Sequence, residues 1–253
     1  MFNTMMGKYL VCDSKLHKMN AVSKMLCLVI FVSMLFTNDI ILLSLLTVLT
    51  IGMVIFSNVP LKTYLKNVSS LKMLIIFLIL ITYFLGGSWY GTIISIVKIV
   101  LGILYTMVIT YTTTKGEIAY GIEKILLPLS LIKIPVRKIS LVLTLALRFI
   151  PTIFEQANKI LKSQASRGID FRHSSLKGKV IAISSMIVPL FLLTSKASDD
   201  VALAMEVKMY DPDAKRTNYR IYKWNRIDEN MILLHIALFT FFISRMIILW
   251  SVI

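Results

Sequence analysis

The 253-residue sequence predicts an all-α integral membrane protein, with about five transmembrane helices plus long amphipathic cytoplasmic helices. Three observations predict it. The chain is 57% hydrophobic, with a mean hydropathy of +0.79, where a soluble domain is about 45–50% apolar. The apolar residues collect into runs at 25–36, 40–56, 73–85, 89–111 and 231–253. The formal charge of +15 is unevenly spread: residues 115–226 hold 19 of the 28 Lys and Arg, and the apolar runs hold almost none. Basic flanks at 1–24, 59–72 and 115–226 put the N-terminus inside and the C-terminus outside by the positive-inside rule.

Residues 1–24 are polar and basic, with Lys8, Lys15, Lys18 and Lys24. The run 25–36 is short for a span unless 21–24 join it and Lys24 snorkels to the interface. A basic start and a short apolar core also suit a signal peptide. No small-x-small cleavage site follows, and a second run begins at Ile40, so a membrane hairpin turning at Thr37-Asn38-Asp39 is predicted. Residues 59–72 form a short basic linker with helical spacing, suited to lying at the interface. The run 89–111 carries Lys98, an ionisable residue that a span usually keeps for function. It lies about two turns from Trp89, and snorkelling toward the outer interface accounts for it. Arg245 is placed to snorkel beside the C-terminal carboxylate in the same way.

Between 112 and 228 no further uninterrupted span is expected, only two apolar pieces, 139–150 and 180–193. Each precedes an arm. After Pro151, residues Ile153, Phe154, Ala157, Ile160, Leu161 and Ala165 recur on one face of a 3.6-residue helix. That arm closes on Ser166-Arg167-Gly168, and glycine just past the last periodic residue is a helix stop. In the second arm the chain is expected to break at Pro189 and restart near Thr194 or Ser198, which can cap a helix over 201–210. Asp211-Pro212 then stops it. Its tip is Val207-Lys208-Met209. A single capped helix is a commonplace surface element; two such tips in one basic block point to docking.

Several chemistries are excluded. No basic run interleaves with aromatics, so nucleic acid is not the expected partner. Gly116 and Gly121 have the separation of a phosphate loop, but Ile122-Glu123 follows where Lys-Ser/Thr is needed. Cys12, Cys27, His17, His173 and His235 are too scattered for a metal site and are assigned structural roles. No cofactor or metal is expected in this chain. An intramembrane enzyme would need clustered His, Asp, Glu or Ser in the spans, and these are lacking.

The stretch Thr112-Thr113-Thr114, Glu123-Lys124-Ile125-Leu126-Leu127-Pro128-Leu129 and Ile134-Pro135 carries a more specific signal. It continues through Ala146-Leu147-Arg148-Phe149-Ile150-Pro151, Ser166-Arg167-Gly168 and Ala202-Leu203-Ala204-Met205-Glu206. With Gly7-Lys8-Tyr9 and residues 14–20, it resembles the transmembrane T component of energy-coupling factor transporters, the prokaryotic vitamin importers of the ABC class. The similarity runs from about 7 to 215. That family is marked by two Ala-Arg-Gly tripeptides at the ends of its coupling helices. The first corresponds to Ser166-Arg167-Gly168. The second falls on Val207-Lys208-Met209, which keeps only the positive charge.

The resemblance implies a non-enzymatic scaffold in a prokaryotic cell membrane. Two cytoplasmic ATP-binding cassette subunits would receive the tips. A membrane-embedded, substrate-binding S component would pack on the arms around Pro151, Ile153, Phe154, Ala157, Ile160 and Leu161, within the lipid bilayer. Residues 1–111 would form the N-terminal membrane helices, 112–228 a cytoplasmic coupling domain, and 229–253 a C-terminal span. A T component dedicated to cobalt or nickel import, and a membrane-anchored binding module without transport, remain open alternatives.

Overall fold

A computed structural model describes residues 9–10, 12–84, 88–132, 135–168, 176–212, 214 and 222–252. Among these the chain forms nine α-helices and one 3₁₀ turn, and no strand. They divide into two compact units. The first takes Met1–Leu131 and Ile221–Ile253, and the second takes Ile132–Arg220.

The first unit is a helix cluster built on the five apolar runs. α1 (Ala21–Met34) opens where the Asn20 side chain accepts from the Val22 N–H. α2 (Ile40–Phe56) opens in the same way on Asp39 and Ile41. These short polar caps satisfy backbone donors that a helix start leaves orphaned. α3 (Leu61–Ser69) is the basic linker, and it bends by 43° into α4 (Lys72–Phe84). α5 (Trp89–Thr112) is the longest helix before the arms, with 24 residues. α6 (Lys115–Leu126) begins with a reciprocal capping box between Thr114 and Glu117 and runs into a 3₁₀ turn over Leu127–Ile132. The last helix, numbered α9 (Arg226–Val252), returns to this unit.

The core forms where α1 packs on α5, α6 and α9, and α2 on α5. Phe31 and Tyr105 stack at 4.1 Å between ring centroids, with Leu42 and Leu46 buried alongside. Tyr105 hydrogen-bonds His235 Nε2 at 2.8 Å, and His235 Nδ1 lies 2.8 Å from the Met231 carbonyl. Gly121 lets α6 approach α1 closely, since a Cβ there would lie 2.9 Å from Met25 Sδ.

Three charges find partners that the sequence does not name, and only Lys24 departs from its expected place. Lys24 does not snorkel: it is 3% exposed, and its Nζ donates to the Thr112 carbonyl at 2.8 Å and to Thr113 Oγ1 at 3.3 Å. The C-terminal end of α5 offers a free carbonyl and the negative end of a helix dipole, which hold the ammonium inside. Lys98 Nζ turns to Asn38 Oδ1 at 2.8 Å, in the turn between α1 and α2. Arg245 pairs with Asp39 at 2.8 Å, in the same turn; the C-terminal carboxylate expected beside it lies outside the described residues. The Arg245 hydrogen bond holds the Asp39 carboxyl below its ordinary value.

The second unit consists of α7 (Val136–Ser166) and α8 (Leu176–Val207), packed on each other. Neither proline ends its helix. Pro151 and Pro189 both lie inside continuous helices, because a proline removes only one ladder bond and its neighbours can carry the helix past it. Thr194 is therefore no cap: its hydroxyl donates to the Leu190 carbonyl within the helix. The restart expected near residue 201 does not occur.

Among the described residues, three helices are long and apolar enough to cross a membrane: Trp89–Thr112, Lys138–Ser166 and Arg226–Ile248. The bent pair α3–α4 makes a fourth if it is one span, and α1 and α2 are shorter apolar helices. Lys138–Ser166 corrects the expectation that 112–228 holds no long run, since the helix continues through Pro151. The chain is an all-α membrane protein.

Candidate functional site: the two arm ends

α7 ends at Ser166, whose hydroxyl donates to the Ser163 carbonyl at 2.8 Å. Arg167 follows in the cap position, and its N–H donates to the Gln164 carbonyl at 3.1 Å. Gly168 has φ +85° and donates to the Ala165 carbonyl at 3.0 Å. Both tip residues are exposed. This is a left-handed stop that glycine adopts without steric penalty.

The second tip has the same build from different residues. α8 ends at Val207, Lys208 takes the cap position, and Met209 has φ +53°. The Met209 N–H donates to the Glu206 carbonyl at 2.8 Å, and the Tyr210 N–H to the Met205 carbonyl at 2.9 Å. Those two bonds define a Schellman motif. Asp211-Pro212 is not what ends the helix: the left-handed residue ends it three residues before Pro212. A side chain pays for that conformation in Cβ sterics, about 1–2 kcal/mol, and Met209 is 89% exposed with no packing to offset it. Each arm thus presents one cation beside the carbonyl end of its helix, where positive charge is favoured.

Behind the first tip, the inward face of α7 differs slightly from the one read in the sequence. Ile160 is buried, and Ile153, Ala157, Leu161 and Pro151 are half-buried. Phe154 and Ala165 are exposed instead. Gln164 takes the inward place one turn beyond Ile160, and its Nε2 donates to the Ser185 carbonyl at 3.4 Å. The helical period pointed near this position, but a polar glutamine on that face gave no sequence signal.

Sequence reading also missed a polar joint in the first unit. Asp228 is fully buried at the start of α9, where Oδ1 accepts from the Asn20 N–H at 2.7 Å and the Ser23 hydroxyl at 2.5 Å. Its Oδ2 accepts from the Asn225 N–H at 2.8 Å. One carboxylate thus ties the starts of α1 and α9 together. The spacing Asn225-x-x-Asp228 before an apolar run was the available signal. Among the described residues, no group of three or more His, Cys, Asp or Glu is placed to hold a metal ion.

Residues 13–219 match the family model CbiQ, described as cobalt transport protein. The chain belongs to this family. The match begins before α1 and runs through both arms and their tips. The family member from Bacillus subtilis (strain 168), named energy-coupling factor transporter transmembrane protein EcfT, is 33% identical over 94% of this chain and 96% of its own length. A protein of the same name from Lactococcus lactis subsp. cremoris (strain MG1363) is 32% identical over 99% of both chains. Another, from Limosilactobacillus fermentum, is 32% identical over 96% of this chain and 97% of its own. This chain is accordingly a transmembrane T component of the energy-coupling factor type. Its relatives are named as transmembrane proteins of an energy-coupling factor transporter.

Proposed function

We propose that this chain couples ATP hydrolysis in two cytoplasmic ATP-binding cassette subunits to substrate release from a membrane-embedded S component. The observation that carries this reading is the matched pair of arm ends. Arg167 and Lys208 occupy the same cap position, each followed by a left-handed residue. A pair of ATPase subunits offers two grooves, and two equivalent tips suit a paired partner. Guanidinium is a rigid fork of donors suited to carboxylates, whereas the Lys208 ammonium is a point charge on a flexible stem.

In this scheme the chain crosses the membrane several times, with the N-terminus and both arm ends in the cytoplasm, as the charge distribution supports. When the ATPase pair closes, the tips move with it. α7 and α8, packed on each other, move as a unit and shift the S component, which opens its substrate inward. The S component packs on apolar arm surface that includes Phe154. The substrate is a vitamin, held by the S component and not by this chain. The family description as a cobalt transport protein favours a second cargo, a metal ion carried by a dedicated importer.

Co-purification tests the scheme. The wild-type chain is expected to retain both ATPase subunits in mild detergent, and the double variant Arg167→Ala/Lys208→Ala to lose them. Retention of the pair by the double variant would remove the tips as docking elements. Uptake of labelled vitamin against labelled cobalt in vesicles then separates the two cargoes.

A further inference from the structure

The first unit carries a groove of about 700 Å³ between the end of α1 and one face of α5. Its wall includes Leu35, Phe36, Ile99, Ile103 and Met107, and Lys98 stands at one end. The two threonines that line it do not make it polar: Thr106 donates to the Gly102 carbonyl and Thr110 to the Thr106 carbonyl, both within α5. It is therefore an apolar slot with one cation at its mouth.

Among the described residues no carboxylate neutralises the charge at that mouth. Lys98 Nζ donates to the amide oxygen of Asn38, and among the described residues no carboxylate lies within ion-pair distance. Asp39, the next residue along, is engaged by Arg245 at 2.8 Å. The layer formed by Asn38, Asp39, Lys98 and Arg245 thus has two cations and one carboxylate.

Helix length says what meets the surplus charge. α1 has 14 residues and α2 has 17, so at a rise of about 1.5 Å per residue they span roughly 21 and 25 Å. A bilayer's hydrocarbon core is about 30 Å thick. Lipid around a short helix hairpin thins, which brings headgroups down to the level of the turn. That turn is where Lys98 points. We infer that the groove binds an anionic phospholipid, with its phosphate on Lys98 and an acyl chain lying along α5 over Ile99, Ile103 and Met107.

The wild-type chain is reconstituted in phosphatidylcholine nanodiscs and titrated with phosphatidylglycerol carrying a spin-labelled acyl chain. Saturable binding of one equivalent, displaced by unlabelled phosphatidylglycerol and not by phosphatidylcholine, is expected. Equal displacement by both lipids would overturn the proposal without any variant. Lys98→Gln should lower the preference for phosphatidylglycerol about tenfold, the worth of one charge-assisted hydrogen bond, and Lys98→Arg should retain it. Ile103→Trp, which fills the slot, should abolish the saturable component. Binding unchanged in Lys98→Gln or in Ile103→Trp would refute the site. A photo-crosslinker at position 103 in cell membranes should form a lipid adduct; a protein adduct would assign the groove to a protein partner and overturn the lipid reading.

Discussion

At the scale of single residues, the two tips share a backbone and differ in side chains. Arg167 with Gly168 combines a forked donor with an unstrained left-handed residue, and Lys208 with Met209 has neither. A charge-assisted hydrogen bond in a water-excluded groove is worth roughly 1.5–3 kcal/mol, and an exposed ion pair about 1 or less. Arg167→Ala should therefore weaken ATPase co-purification and uptake more than Lys208→Ala. Greater damage from Lys208→Ala would mean that the second tip has its own matched groove. The backbone makes a separate prediction. Met209→Gly should stabilise the arm by about 0.5–1 kcal/mol, the relief of left-handed strain less glycine's entropy cost. Gly168→Ala should destabilise by a similar amount through strain, since among the described residues no atom lies within 4 Å of a Cβ there. Thermal melting of the two variants checks the opposite signs.

Asp39 makes the pH prediction at the same scale. Its folded-state value lies below the unfolded one of about 3.9 because Arg245 donates to it. The stabilisation is therefore complete above about pH 4 and is lost as pH falls through the lower, folded value. Melting temperature of the wild type should drop more steeply on acidification than that of Asp39→Asn. Parallel profiles for the two proteins would show that the pair contributes nothing measurable.

Among elements, the contact between α1 and α6 rests on the absence of a side chain. A Cβ on Gly121 would meet the thioether of Met25 at 2.9 Å and 3.2 Å and the Ala21 Cβ at 3.4 Å. The methionine end is flexible and can move, so Gly121→Ala should change stability little. Gly121→Val adds two methyl groups beyond that Cβ, where Ala21 cannot retreat, and overpacking of that kind costs about 1–3 kcal/mol. Detergent-based unfolding should separate the two variants, and an equal loss in both would place the rigidity in the backbone. The arms teach a related lesson. A proline in a sequence reads as a break, yet α7 and α8 continue through Pro151 and Pro189, so each arm is one continuous helix of 31 or 32 residues.

For the whole molecule, the proposed division of labour predicts where chemistry will be absent. The chain alone should bind no nucleotide, since Gly116 and Gly121 belong to a capped helix and not to a phosphate loop. Saturable ATP binding to the purified subunit would sink the scaffold reading. Labelled vitamin should crosslink to the S component, and crosslinks from that partner should fall on apolar helix faces such as the one carrying Phe154. Label appearing mainly on this chain would show that it holds the substrate itself.

Composition and pattern by themselves determined the class of protein, the five apolar runs and the glycine stop of the first arm; the second arm's stop, at a left-handed Met209, was not legible. Apolar runs and helix stops are local signals, set by hydropathy and by the few residues that tolerate a left-handed turn. The tertiary structure alone decided where the isolated charges go. Lys24, Lys98, Asp39, Arg245 and Asp228 each sit in or beside an apolar run, and sequence offers only snorkelling for such residues. Their partners lie 60 to 208 positions away. A buried charge takes whichever distant carbonyl or carboxylate the packing brings near, and no local pattern encodes that choice.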